Sequence, residues 1–257
     1  MKQHWFTPLA AFALSVACHS AKVAAPAHEE HKVASPAAAQ PTQAPQATQP
    51  AQPTQPAVAV EPNRDPHGNK DVAAYVGMLE SDKRVAEMRP DFVVEKLALP
   101  ANAVIADIGC GPGVFSLRFA HACPQGVVYA ADIEPRQLDR LREHLLADKV
   151  DNVVPILASL STPHLPPGRC DFIFIGDTYH HFSERVDYMK RLQSALAPGG
   201  KLVIFEYKPG QLAVGPGPEH KLQPGVLKTE LEAAGYELVT DFESHEYHDF
   251  QIWKPKR

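Results

Sequence analysis

The stretch Ala103–Gly113 constrains the fold of this chain more than any other. Ala103-Val104-Ile105-Ala106-Asp107 is a continuous apolar run closed by an acid, the pattern of a parallel strand buried on both faces. A glycine-rich turn follows at once, and then a helical pattern over Val114–Cys123. Further strands are predicted at 126–132, 152–157, 171–176 and 201–207, with amphipathic helices between most of them. One helix over Pro135–Lys149 is predicted to place Leu138, Leu141, Leu145 and Leu146 on one face, and another spans Glu184–Leu196. Pro90 to Leu97 reads as a helix with proline at its first position. After Leu222 come a helix to Ala234, a turn at Gly235 and two short strands, near 238–242 and 249–253. Such alternation predicts an α/β domain: a Rossmann-like, mostly parallel seven-stranded sheet with an antiparallel last strand and helices on both faces.

The first quarter of the chain cannot join that core. Residues 1–66 hold ten of the 25 prolines and none of the 15 glycines, and their four positive and four negative side chains cancel. Residues 21–60 contain 13 Ala, seven Pro and six Gln, the glutamines recurring every third position from 40 to 55, which suits a solvated polyproline II tether. Residues 19–66 therefore read as a disordered tether and 67–257 as one domain. Ahead of the tether, Lys2 precedes an apolar stretch from Trp5 to Ala17, the layout of a secretory signal peptide over residues 1–18. Its end, Leu14-Ser15-Val16-Ala17-Cys18, resembles a bacterial lipobox, with Ser15 where a large apolar residue is usual. That resemblance implies a lipidated Cys18, with His19 in place of the aspartate that retains such proteins at the inner membrane. The expected location is the periplasmic side of the envelope, as an outer-membrane lipoprotein whose only membrane attachment is that lipid. A net charge of −5 excludes a general nucleic-acid binder, and no apolar run reaches the roughly 18–20 residues of a spanning helix.

The chemistry is expected at the carboxyl ends of the strands, where open α/β sheets bind ligands. Asp107-Ile108-Gly109-Cys110-Gly111-Pro112-Gly113 follows the first strand, and Asp132 ends the second, at the spacing of a carboxylate that accepts from both hydroxyls of a ribose. Dinucleotide sites usually read Gly-x-Gly-x-x-Gly; here the third glycine comes one residue early and an acid precedes the first. That acid repels a pyrophosphate and suits a cationic ligand. The motif resembles the cofactor loop of class I S-adenosylmethionine-dependent methyltransferases, over about Asp71 to Lys256. The likeness extends to a bacterial group with Tyr-His-His-Phe after the fourth strand, here Tyr179-His180-His181-Phe182, followed by Glu206-Tyr207, His220-Lys221 and Gly235-Tyr236. The resemblance implies S-adenosylmethionine as cofactor, its methionine part lined by Asp107, Gly109, Cys110, Gly111 and Gly113. Asp132 is implied at the ribose and Ile133 at the adenine. Ser159 stands in the loop where the family usually offers an acid to the adenine amino group.

Asp177, Tyr179, His180 and His181 fall where an acceptor should approach, and the two histidines, which titrate near neutrality, are the candidate bases. One histidine of such a pair often packs structurally. Glu206, His220 and Lys221 are expected to close over the site with the loop 208–224. No metal site is expected: His245 and His248, three apart, point to opposite faces if the segment is a strand. Cys110, Cys123 and Cys170 read as small buried apolar residues, with a Cys123–Cys170 pair left open. The reading is direct in-line methyl transfer to a small-molecule acceptor. The alternative is a non-catalytic envelope protein that binds a ligand or partner through the same fold, because S-adenosylmethionine is made in the cytosol.

Overall fold

The computed structural model describes residues 71–256. The signal peptide and the tether expected at 1–18 and 19–66 lie outside the described residues. Three short helices come first. In α1 (Val72–Leu79) the Asp71 side chain accepts from the Ala74 amide at 3.0 Å, and in α2 (Asp82–Met88) Ser81 caps the Arg84 amide at 3.4 Å. Each cap satisfies a donor that the first helical turn leaves without a partner. Arg89, in the left-handed region at φ 48°, turns the chain into α3 (Pro90–Leu97), which Pro90 starts.

The sheet then builds in order: β1 (Val104–Ile108), α4 (Val114–Ala122), β2 (Val127–Asp132), α5 (Pro135–Asp148) and β3 (Val153–Leu157). The chain next crosses to β4 (Cys170–Gly176), followed by α6 (Arg185–Leu192), β5 (Leu196–Tyr207), α7 (Val226–Ala233), β6 (Tyr236–Asp241) and β7 (His248–Pro255). Strand order is β3-β2-β1-β4-β5-β7-β6. Every neighbouring pair is parallel except β5 with β7 and β7 with β6, so β7 alone runs against the rest. The seven-stranded, mostly parallel sheet expected from the sequence is thus the observed one.

The buried runs split by the two-residue period of a strand. Ile105, Phe172, Phe174, Val203 and Phe205 face one side, against α3, α4 and α5. Ala106, Ile173, Ile175, Leu202 and Ile204 face the other, against α6 and α7. The first core centres on an aromatic cluster, with the Phe115 ring tilted 4.6 Å and the Phe119 ring edge-on 5.1 Å from Phe174. Because the chain leaves β1 for β2 and β3 and returns to β4 on its other flank, a crevice opens beyond the carboxyl ends of β1 and β4.

Three local expectations change. Leu146 is 80% exposed, because a helix turns 100° per residue and 138, 141 and 145 already define the buried face of α5. The helix of 184–196 ends at Leu192, and Leu196 opens β5, whose register with β4 shifts between Cys170 and Phe172. His245 and His248 do not point apart: residues 243–247 form a turn rather than a strand, and both imidazoles are fully buried with ring centres 4.8 Å apart. Cys110, Cys123 and Cys170 are free thiols, all buried, so Cys123 and Cys170 form no disulfide.

Candidate active site

The glycine turn after β1 is held against the end of β2. The amides of Gly109 and Cys110 donate to the Ala131 carbonyl at 2.8 Å and 3.2 Å, and Gly111 donates to Asp132 Oδ2 at 2.8 Å. Gly109, Gly111 and Gly113 adopt φ of 71°, 53° and 96°, the left-handed region where a Cβ is costly. At Gly109 a Cβ would also run into the Thr178 side chain, which donates to the carbonyls of Gly176 (2.9 Å) and Gly109 (3.4 Å) and so ties the turn to the end of β4. Asp132 takes a second amide, from Glu134, at 2.9 Å. A carboxylate offers about four acceptor directions, so these two bonds fix its plane.

Beyond this turn lies a cavity of about 400 Å³, bounded by Gly109, Cys110 and Gly111 on one side and by Asp132, Ile133 and Ser159 on another. The Gln137 Oε1 atom on its wall is buried and has no hydrogen-bond partner. Burial pushes the Cys110 thiol pKa well up, so it stays protonated and acts as an apolar wall. Ser159 Oγ accepts from the Thr162 amide at 3.2 Å, which closes its loop. A second cavity of about 1000 Å³ adjoins the first, and the two share Tyr75, Leu79, Arg84, Asp177, His181 and His220.

A buried polar cluster runs from that shared wall, at Arg84, Asp177 and His181, to His180 of the second cavity. His180 Nδ1 is 3.0 Å from both carboxylate oxygens of Glu206, a side chain only 2% exposed. Beside a carboxylate Nδ1 must donate, so the neutral ring carries its lone pair on Nε2. No protein group among the described residues bonds that Nε2, and His180 lines the second cavity. Burial opposes a charge on His180, but the Glu206 carboxylate outweighs it and the pKa is raised. The His181 ring sits 4.0 Å away. Asp177, at φ 47°, is bonded by Arg84 at 2.9 Å and lies 3.1 Å from His248. Burial raises its pKa, and His248 and Arg84 more than reverse this, leaving the carboxyl below its ordinary value.

Two groups of expected residues separate here. Gly109, Cys110, Gly111, Asp132, Ile133, Ser159, Asp177 and His181 line the first cavity, and Asp177, His180 and His181 line the second. Asp107 and Gly113 line neither. Asp107 points to the α4 side of the sheet, fully buried, and accepts from Ser116 Oγ at 2.6 Å; burial raises its pKa to about 7. Gly113 caps α4, and a Cβ there would meet Leu141. Tyr179 likewise faces away: it is fully buried in the core of the α6–α7 side, and its hydroxyl donates to Glu230 at 3.0 Å. Glu206 belongs to β5 rather than to the loop, while His220 and Lys221 do come from the loop. The sequence reading missed Tyr75 and Leu79 of α1, Arg84 and Met88 of α2, and Gln137. The caps Asp71 and Ser81 were the local signals for the two helices. Among the described residues no three His, Cys, Asp or Glu side chains are grouped to hold a metal ion.

Comparison with known proteins agrees with this geometry. A ubiquinone/menaquinone biosynthesis C-methyltransferase (UbiE) of Hahella chejuensis is 27% identical over 118 residues, 45% of this chain and 47% of that protein. The chain spans about half the length of the curated relatives it matches. A SAM-dependent methyltransferase structure from Aquifex aeolicus aligns with a TM-score of 0.67 at 23% identity, over 74% of this chain and 97% of that one. The [4+2]-cyclase SpnF aligns with a TM-score of 0.57 at 16% identity, over 69% and 86% of the two chains, so the fold by itself does not fix the reaction. Residues 105–200, which carry the glycine turn, Asp132 and the His180–His181 turn, match the methyltransferase domain family, and the fold around them is that of the class I methyltransferases.

Proposed function

We propose that this chain transfers a methyl group from S-adenosylmethionine to a small-molecule acceptor. The observation that carries the reading is the pair of adjoining cavities, one walled by the glycine turn and Asp132, the other by His180, whose ring is bonded from behind by buried Glu206. The residues of the first cavity fit the cofactor. Asp132, fixed by two amides, suits a diol, and Gln137 Oε1 is a buried acceptor in need of a donor such as an ammonium. Gly111 approaches the cavity without a side chain, with only Leu79 and Gln137 atoms, 3.6 Å and 3.9 Å away, where its Cβ would be. Ile133 offers an apolar wall to the base, and Ser159 a neutral hydrogen-bonding group.

When bound, S-adenosylmethionine supplies an electrophilic methyl group on a sulfonium, so the protein's task is positioning, desolvation and proton removal. Tyr75 and Leu79 of α1 wall both cavities and exclude water from the boundary. His180 Nε2 takes the acceptor proton as the new bond to carbon forms, and Glu206 holds the ring in place and stabilises the imidazolium. The Arg84–Asp177 pair at the same boundary keeps the carboxylate from competing for that proton.

Isothermal titration of the protein with S-adenosylhomocysteine, S-adenosylmethionine and NAD tests the reading. Binding of both sulfur compounds but not NAD is expected. At 100 times its dissociation constant a ligand adds about 2.7 kcal/mol of stability, which thermal unfolding reads as a clear rise. Absence of binding by either sulfur compound overturns the proposal, and binding with no turnover on a broad acceptor pool favours a ligand-binding protein instead. Export and lipidation at Cys18 are a second part of the proposal, supported by the order of charge, apolar stretch and cysteine at the N-terminus. An intact mass showing Met1 retained, or Cys18 unmodified, overturns that part alone.

A further inference from the structure

The walls of the second cavity carry charges of both signs, and nearly all of them pair locally. Lys83 faces Glu87 at 3.9 Å, Arg84 faces Asp177 at 2.9 Å, and Arg185 grips both oxygens of Glu230 at 2.6 Å and 2.8 Å. His220 lies 3.5 Å from Glu219. Lys221 differs. It is 7% exposed, it lines the cavity, and it forms no ion pair with any described residue. Its ammonium donates to the Gly210 carbonyl at 3.1 Å and stands 5.6 Å from the centre of the Tyr207 ring. A carbonyl dipole and a ring face steady a cation without neutralising it. Of the three N–H bonds of the ammonium one is used, and two remain for a ligand.

We propose that Lys221 binds the carboxylate of the acceptor, so that the substrate of this site is a small carboxylic acid. The inference rests on the methyl-transfer reading and names its acceptor class. A buried ammonium without a counter-ion is costly, and an anionic ligand that enters the cavity removes that cost. The charge balance points to a monoanion. Both guanidiniums of the wall already hold carboxylates, so no arginine fork is open to a phosphate, and Glu87, Asp177 and Glu219 disfavour a ligand of higher negative charge. A carboxylate on Lys221 anchors one end of the molecule in the cavity that His180 also lines, and leaves its other end for the wall shared with the first cavity.

The test is equilibrium binding to the full chain saturated with S-adenosylhomocysteine, using matched acids and amides: benzoate and benzamide, 4-hydroxybenzoate and 4-hydroxybenzamide, hexanoate and hexanamide. At least one acid is expected to bind about tenfold or more tightly than its amide, the scale of one charge-assisted hydrogen bond. Lys221→Met should abolish that preference while Lys221→Arg keeps it, with affinity for S-adenosylhomocysteine unchanged in both. No preference for an acid anywhere in the set, or a preference that survives Lys221→Met, overturns the proposal. So does tighter binding of phenylphosphonate than of benzoate. The wild-type comparison decides by itself if the methionine variant does not fold. Failure of S-adenosylhomocysteine to bind counts against methyl transfer, whereas its binding without any acid preference counts against the Lys221 subsite only.

Discussion

Asp107 offers the sharpest quantitative prediction, because its carboxyl is sealed in the fold rather than presented to the cavity. It is 2% exposed, its single side-chain donor is Ser116, and burial lifts its pKa from 3.8 to about 7, with Asp132 adding to the rise. The folded protein therefore holds this proton to a higher pH than the unfolded chain does. Between about pH 4 and 7 the native state binds more protons, so stability declines as pH rises through that window and levels off above it. The full span is about 4 kcal/mol, from 1.36 kcal/mol per unit. Asp107→Asn keeps the shape and the acceptor for Ser116 but cannot ionise. Its amide N–H group costs a fixed amount at every pH, about 1–3 kcal/mol if left without a partner. The stability difference between variant and wild type should therefore move by about 3 kcal/mol in favour of asparagine from pH 4.5 to pH 8. Urea unfolding of both proteins at the two pH values, without ligand, measures it. A difference that stays constant within about 1 kcal/mol refutes the reasoning, because it would mean that the carboxyl ionises in the fold as it does in water.

Three further outcomes follow from individual contacts. Gly109→Ala places a Cβ at φ 71° against Thr178, and left-handed strain with overpacking should cost about 2–5 kcal/mol in chemical unfolding, together with loss of S-adenosylhomocysteine binding. Tyr179→Phe removes a hydrogen bond to Glu230 on the far side of the sheet, so it should cost about 1 kcal/mol of stability and leave ligand affinity unchanged in titration. Glu206→Gln removes the partner that raises the His180 pKa; the rising limb of the pH–rate profile should shift to lower pH, with a maximal rate down about 100-fold.

The fold was legible where the sequence pattern and the packing have the same period. Strands β1, β4 and β5 are buried on both faces, and their unbroken apolar runs reflect two cores fed alternately, as Phe174 and Ile175 are. Helix α3 falls on the residues that Pro90 and the apolar spacing mark out. The first two helices gave little local signal beyond the caps Asp71 and Ser81, because neither has a proline start like that of α3. They are held by contacts distant in sequence, Glu80 with Arg140 at 2.8 Å and Arg84 with Asp177 at 2.9 Å. The same limit applies to residues 243–247, where a turn with no strong breaker brings His245 and His248 together.

The site divides along a similar line. The glycine-turn side is stereochemically demanding: three glycines at positive φ and an acid at the next strand end mark it in the sequence itself. Even there, strand alternation sends Asp107 to the face below the turn, which a motif written as a string does not display. The second cavity is assembled from residues far apart in the chain, and neighbours around it diverge. Tyr179 and His180 are consecutive, yet one joins a core with Glu230 and the other meets Glu206 at the cavity. Acids and bases in such a region have several potential mates each, and composition alone cannot choose among them. Only once Lys83, Arg84, Arg185, His180 and His220 are each matched to a carboxylate does Lys221 stand out as the cavity-lining cation without one among the described residues, and it is on that residual charge, rather than on any motif, that the proposed carboxylate anchor rests.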